Sequence, residues 1–437
     1  MSLTHRLSTE CTKSELDLFA PPMTQLSVEQ NNYVEIFPLN SIADQEVLEF
    51  LIPGSGNFYL DLNSTVIYLR LKITNADGTD LGNNDACGII QYPLNTIFSQ
   101  VDVSLNDTLI SSSSATHPYR AMIETLLNFS QETLESQFSG GLWYKDTGAD
   151  LDSIAMAVDS PNQGLVKRTS FTRRSRQFEL IGPLHTDIFF SERLMLNNVD
   201  VRLKLVKAKS AFTLMSAAAD EFKLNILGAS LFVKKVQVSP DVMLGHSAAL
   251  MKSNAIYPIS RVVVKNYSIP AQTRVCSQDN LYLGKLPKYL VVGLVDHRAY
   301  VGTRQLNPFK FQHADLEYLA LSVNSRFIPS KPYQPHFDTH QTVREFYNLY
   351  LGNNRHIRDS PLCIDRENFE NGYSLFLFNL TRDGEIDSEA LSPSEHGTCR
   401  LDLRFRVALP RTMTLVVYAC YDSVIEINSK RQVLIDY

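Results

Sequence analysis

Tryptophan occurs once in these 437 residues, cysteine only six times, and a long apolar run not at all. The longest apolar stretches, such as residues 289–295 and 375–378, are far short of the roughly 20 residues a membrane-spanning helix needs. The cysteines, at 11, 87, 276, 363, 399 and 420, form no Cys-x-x-Cys pair, which argues against a zinc ribbon or a thioredoxin-type site. They are expected to be buried, reduced thiols in a protein made inside a cell. Residues 1–6 lead into polar and acidic positions without the apolar core of a secretory signal. The five Asn-x-Ser/Thr sequons, at Asn63, Asn106, Asn128, Asn266 and Asn379, therefore carry little weight.

Catalytic signatures are missing as well. There is no Gly-x-Ser-x-Gly elbow, no phosphate loop and no Gly-x-Gly-x-x-Gly. Gly54-Ser55-Gly56 precedes a strand rather than a helix and reads as a loop turn. The closest histidine pair, His336 and His340, lies in a loop with no third ligand at metal spacing, and no His-x-His pair of the cupin kind occurs. The expectation is a protein that is not an enzyme and holds no cofactor or metal. A formal net charge of −6 argues against the whole surface being a nucleic-acid footprint, though not against one basic patch.

What is present is strand. At 437 residues, 44% of them hydrophobic, the chain suits two domains of about 200 residues, each with its own core. Alternating apolar and polar residues predict strands near 46–52, 65–74, 99–105, 177–190, 199–207 and 222–238 in the first half. In the second half they fall near 261–267, 289–295, 316–323, 373–380, 400–408 and 413–427. Turn signals such as Asn106-Asp107 and Asn324-Ser325 separate them. The pattern predicts an all-β chain of two tandem eight-stranded jelly-roll sandwiches with short helices in their loops.

An internal repeat supports this. Val103-Ser104-Leu105-Asn106-Asp107-Thr108-Leu109-Ile110 matches Leu321-Ser322-Val323-Asn324-Ser325-Arg326-Phe327-Ile328, an offset of 218. Each reads as a strand, a tight turn and the start of a return strand. Tyr119, Met122, Ile123 and Leu126 then mark one face of a short helix begun by Thr116 and Pro118. Val343, Phe346, Tyr347 and Tyr350 repeat that spacing, with Arg344 where the first copy has Arg120. Tyr68-Leu69 and Tyr289-Leu290 open matching strands. The predicted organisation is an extended arm over 1–30, a first jelly roll over 31–240, a connector over 241–254 and a second jelly roll over 255–437. Segments 130–176 and 381–398, rich in Gly, Ser and Asp, are expected to be loops off the sandwich ends.

Two segments are candidates for contact. Lys13, Ser14, Glu15, Leu16, Asp17, Leu18 and Phe19 alternate charge with apolar residues just before Pro21-Pro22, as expected of an arm that docks on its own or a neighbouring subunit. Lys167, Arg168, Arg173, Arg174 and Arg176 place five cations in ten residues. That run reads as a solvated or inter-subunit loop, a nuclear-import signal or a DNA contact.

The arm Lys13-Ser14-Glu15-Leu16-Asp17-Leu18-Phe19 followed by Pro21-Pro22 resembles the start of the major capsid proteins of Polinton/Maverick elements and the related adintoviruses. The strand–turn–strand–helix from Asn95 onward, and Phe178-Glu179-Leu180-Ile181 leading to Asn198-Val199-Asp200-Val201-Arg202-Leu203, are similar to double jelly-roll capsid proteins generally. One departure is Leu105-Asn106-Asp107, where related capsid proteins carry Ile-Gly-Gly at the first hairpin. The resemblance implies two upright jelly rolls per chain and a homotrimer of pseudo-sixfold outline. It also implies an icosahedral shell around double-stranded DNA, with penton and minor capsid proteins as partners. The arm would lie at the shell's inner face. The chain would be made in the host cytoplasm for a virion, with nuclear assembly open. The alternative is a tandem carbohydrate-binding or adhesion sandwich, which the lone Trp143 and the absent signal count against. A jelly-roll oxygenase or hydrolase has little support from the histidine spacing.

Overall fold

In the computed structural model, which describes residues 5, 7–42, 45–54, 56–82, 85–217, 221–388 and 390–435, alternation becomes strand almost everywhere it was expected. The first copy consists of β1 (Val28–Ile36), β2 (Val47–Ile52), β3 (Tyr59–Asn75), β4 (Phe98–Leu105), β5 (Thr108–Ser112), β6 (Phe178–Gly182), β7 (Val201–Lys207) and β8 (Phe222–Val238). They form two antiparallel sheets in the orders β1-β8-β3-β6 and β2-β7-β4-β5. First pairs with eighth, second with seventh, third with sixth and fourth with fifth. That is one long hairpin rolled into a sandwich, the jelly roll.

The second copy contains β9 (Ala255–Ile269), β10 (Val275–Gln278), β11 (Tyr289–Asp296), β12 (Leu316–Val323), β13 (Arg326–Tyr333), β14 (Leu375–Asn379), β15 (His396–Phe405) and β16 (Met413–Ile427). Its sheets run β9-β16-β11-β14 and β10-β15-β12-β13. Each label is that of the first copy plus eight. Short accessory strands at Cys87–Ile89, Leu214–Ser216, Leu283–Lys285 and Val433–Ile435 flank this frame.

Side chains explain the layers. On β4, Val101, Val103 and Leu105 are buried with polar residues between them, and β2 and β7 bury Leu48, Phe50, Ile52 and Val201, Leu203, Leu205 in the same rhythm. Such period-two burial is how one face of a sheet fills a sandwich. By contrast, β11 and the first half of β16 are buried on both faces.

The two repeated hairpins are built alike. Asn106 and Asp107 both have positive φ (44° and 65°), as do Asn324 and Ser325 (48° and 67°), the backbone of a two-residue type I′ turn. Asn106 Oδ1 accepts the amide of Asp200 at 2.8 Å, and Asn324 Oδ1 accepts that of Thr398 at 3.1 Å. Asparagine thus serves twice, tolerating the left-handed backbone and tying the turn to the next strand over. At Gly397 a Cβ would fall 2.3 Å from the Asn324 carboxamide oxygen, so a larger residue there would displace the side chain that ties the turn.

The longer helices are α1 (His117–Asn128), α2 (Gln163–Thr172), α3 (Pro240–Leu250) and α4 (Val343–Gly352). Pro118 stands in the first turn of α1 and Pro240 opens α3, positions where a missing N–H costs nothing.

Several expectations are corrected. Strand β6 stops at Gly182 because Pro183 follows, and the rest of 177–190 turns into a short 3-10 segment, Ile188–Phe190. Segment 130–176 does not stand off the sandwich: Leu134, Phe138, Leu142, Trp143, Leu151 and Leu165 bury it, and α2 forms within it. The expected 1–30 arm already becomes β1 at Val28. On α4 the fully buried positions are Glu345, Leu349 and Gly352; of the quartet chosen by spacing, Phe346 and Tyr350 are half-buried against the core, while Val343 and Tyr347 are exposed. Of the thiols, Cys11 is exposed and Cys276 half-buried; the other four are buried. Residues 1–4, Arg6 and Ser55, on which the signal-peptide and Gly54-Ser55-Gly56 readings fall in part, lie outside the described residues.

Candidate functional site: the seam between the sandwiches and the surfaces it carries

Helix α1 leaves the hairpin of the first copy and is buried along nearly all its length, including Arg120 and Glu124. Charges in such a place need partners, and α1 finds them on both sandwiches. Arg120 pairs with Glu124 at 2.9 Å, one helical turn on, and with Asp187 at 2.7 Å. Glu124 also meets His185 Nδ1 at 2.7 Å, and it accepts from Tyr418 Oη, on β16 of the second copy, at 3.2 Å. Asp187 in turn accepts the amide of Val262, on β9, at 3.2 Å. Burial alone pushes the Glu124 carboxyl upward, but Arg120 and the His185 hydrogen bond outweigh it and hold the group down at about 2. For Asp187 burial wins over Arg120 and the carboxyl sits above its ordinary value.

The C-terminus of α1 leaves carbonyls without intrahelical partners. Donors from the second copy fill them: Asn353 Nδ2 donates to Leu127 O at 2.8 Å and Arg355 Nη1 to Asn128 O at 3.0 Å. The Arg355 charge also suits the negative end of the helix dipole. At the N-terminal end the Tyr119 ring stacks on Tyr300 at 5.5 Å and meets Phe309 edge-on at 5.7 Å.

A second buried hub lies on 130–176. Arg168 is fully buried; its Nη2 contacts Asp146 at 2.7 Å and its Nε donates to Ile89 O at 2.9 Å. Asp146 also accepts from Asn307 Nδ2 at 2.8 Å, and its carbonyl from Tyr373 Oη at 2.9 Å, both in the second copy. A third link runs through Asn106, whose amide donates to Arg431 O at 2.8 Å. Buried, mutually satisfied polar groups of this kind fix one relative orientation. These contacts join the two jelly rolls into one block.

The structure separates the sequence-marked cations. Lys167, Arg173, Arg174 and Arg176 are exposed, on or just after α2 rather than on a loop, whereas Arg168 belongs to the interior hub. Lys167 lies over the Tyr144 ring at 4.6 Å. The arm residues Lys13 to Phe19 include one 3-10 turn, Ser14–Leu16, and all are exposed, the apolar Leu16, Leu18 and Phe19 among them. Trp143 is buried against Tyr92, at 5.7 Å, and so is no exposed sugar platform. His340 pairs with Glu370. Among the described residues no group of three or more His, Cys, Asp or Glu is arranged to hold a metal ion, and no helix is long and apolar enough to cross a membrane.

Sequence reasoning found Arg120 only as a repeat match and missed Glu124, Asp146, Asp187, His185 and Tyr418. The Arg120/Glu124 spacing of four within an apolar helix was the one available signal. The others are far apart in the chain and meet only through the fold.

No family model matches the chain. An uncharacterized protein of Caenorhabditis elegans, F54H12.2, is 22% identical over 433 residues, spanning 95% of this chain and 99% of the relative. Among solved structures, the Sputnik virophage gives a TM-score of 0.63 at 12% identity, covering 98% of this chain and 93% of the other. The Faustovirus major capsid protein gives 0.61 at 9%, covering 94% and 92%. The mavirus major capsid protein gives 0.55 at 12%, covering 100% and 96%. The class of fold is therefore the double jelly roll. Within that class, this chain is similar end to end to virophage and large-virus capsid structures.

Proposed function

We propose that this chain is a major capsid protein, a subunit whose homotrimers tile an icosahedral shell around a double-stranded DNA genome. The observation that carries the reading is the pair of complete jelly rolls locked by a buried seam into one block. Three such chains place six sandwiches around one axis, which gives a trimer the hexagonal outline a shell can be tiled with. The likeness to viral capsid structures over nearly the whole chain supports this. The arm motif with Pro21-Pro22 favours the Polinton/Maverick and adintovirus branch. On this reading the chain's own copies are its first partners, penton and minor capsid proteins its others, and the virion its destination. The exposed cations beside α2 act at subunit contacts or in nuclear import.

Size-exclusion chromatography with light scattering tests it. The expected species has three times the 49.4 kDa chain mass. A protein that stays monomeric at every concentration contradicts the reading.

A further inference from the structure

Helix α3, which joins the two sandwiches, is out of place as an exposed element. Its sequence, Pro-Asp-Val-Met-Leu-Gly-His-Ser-Ala-Ala-Leu, is apolar on every side, with Asp241 and His246 its sole titratable groups. A helix apolar all round belongs in an interior. Yet none of its residues is buried, and Leu244 is 69% exposed. Along one flank runs a groove of about 480 Å³, lined among others by Val28, Leu194, Val242, Ala249, Leu250 and Ile256. Its lining includes one guanidinium, Arg193, and one imidazole, His246, but no carboxylate. A second groove, of about 510 Å³, follows the other flank past Phe58, Met243 and Leu244.

The N-terminal arm leaves from the same place. Ser27 O accepts the Ser239 amide at 2.9 Å, at the start of α3. The arm carries its own uncovered apolar side chains: Leu16, Leu18, Met23, Leu26 and Phe19, the last 95% exposed. Helix α3 packs on the core through Val242, Met243 and Leu250 but leaves its grooves open, and the arm rooted beside it carries exposed apolar side chains complementary to them in character. The arm is acidic around these residues, with Glu10, Glu15 and Asp17 against Lys13, which suits a groove holding a cation and no carboxylate and disfavours an anionic lipid surface. Pro21-Pro22 stiffens the chain into an extended form and restricts Ala20 before it. Residues 16–19 are thus carried away from their own root, over a span of roughly 30 Å for the nine residues back to β1.

We propose that residues 16–19 of one copy's arm lie in the groove along α3 of a neighbouring copy, so that the connector helix is the receptor that links subunits. This rests on the self-assembly reading above and adds to it where the arm binds.

Two full-length, differently tagged forms are co-expressed, both Cys11→Ser, one with Phe19→Cys and the other with Ser253→Cys, a groove-lining, exposed position. Mild oxidation should give a reducible species of twice the chain mass carrying both tags. Adding Val242→Asp to the groove-bearing form should abolish it while light scattering still detects folded chains. Trimers that form without the mixed link overturn this proposal alone. A link that forms in a third form carrying both Phe19→Cys and Ser253→Cys on one chain but never between the two tagged forms, or an arm that instead floats with phosphatidylcholine/phosphatidylserine vesicles, also overturns it. Chains that remain monomeric overturn the assembly reading and this proposal with it.

Discussion

Arg120→Met keeps most of the stem's apolar volume but removes the charge that the seam is organised around. Glu124 and Asp187 would then stay buried, their carboxylates at 7% and 2% side-chain exposure, without the guanidinium that reaches both. Removing one partner from a buried ion pair costs about 3–5 kcal/mol, because the other charge is left uncompensated. For a cooperative unit near 200 residues, that is a fall in Tm of roughly 10 °C. The charge origin has two signatures. In the variant both carboxyls have folded pKa values raised above their unfolded ones, so their penalty grows as pH climbs past the unfolded carboxyl range. The gap to wild type should be widest at pH 7 and shrink as pH falls towards about 4.5. The triple variant Arg120→Met, Glu124→Gln, Asp187→Asn should recover most of the lost stability, since it has no buried charge at these three positions. Thermal unfolding followed by circular dichroism at pH 5 and 7 reads both. An equal deficit at the two pH values, with no recovery in the triple variant, would refute the reasoning and make the loss one of packing.

In the wild type, the folded Glu124 pKa of about 2 lies below its ordinary value of 4.5, so its contribution is present above 4.5 and lost as pH falls from there towards 2. That share is on the order of 3 kcal/mol, and raised Asp187 works in the opposite sense, so Glu124→Gln should flatten acid unfolding curves in this window. Asn106→Ala and Asn324→Ala each lose the turn's side-chain hydrogen bond and strain a left-handed backbone. Each should cost about 1–3 kcal/mol by urea denaturation, with Asn→Gly milder at both sites. Gly164→Ala would bring a Cβ 2.3 Å from Lys145 O, next to the Asp146 hub, and should cost about 1–3 kcal/mol in the same assay. A thiol reagent at pH 8 should label Cys11 first and Cys276 more slowly. Cys87 and Cys420, whose thiols burial pushes up to about 12, should react only on unfolding.

The fold was largely legible because its governing signals are local. Strand-type sequence between turn signals marked β8, β12 and β16 at their observed bounds, and the Asn-led hairpins announced the repeat. Strand β1 was missed because Val-Glu-Gln-Asn-Asn-Tyr-Val-Glu-Ile is an edge strand, exposed along most of its length and without a buried face to alternate. Segment 130–176 looked like loop because Gly, Ser and Asp outnumber its anchors, yet a few large side chains such as Trp143 and Leu165 decide its packing. The seam was the least legible part. Tyr418 and Glu124 are 294 positions apart and meet only when two sandwiches have formed. The run 289–295 did carry a trace of it. An antiparallel strand with no polar face implies a partner on each side, and β11 and β16 are where the second copy is buried on both faces.

The seam, the repeat and the uncovered arm all bear on one claim, that this chain is a block for building shells. Negative-stain electron microscopy of the recombinant full-length protein addresses it most directly. Hexagonal capsomers, each a trimer with six lobes, alone or joined into closed shells, are the predicted images. Fields of separate two-lobed monomers at all concentrations would contradict it.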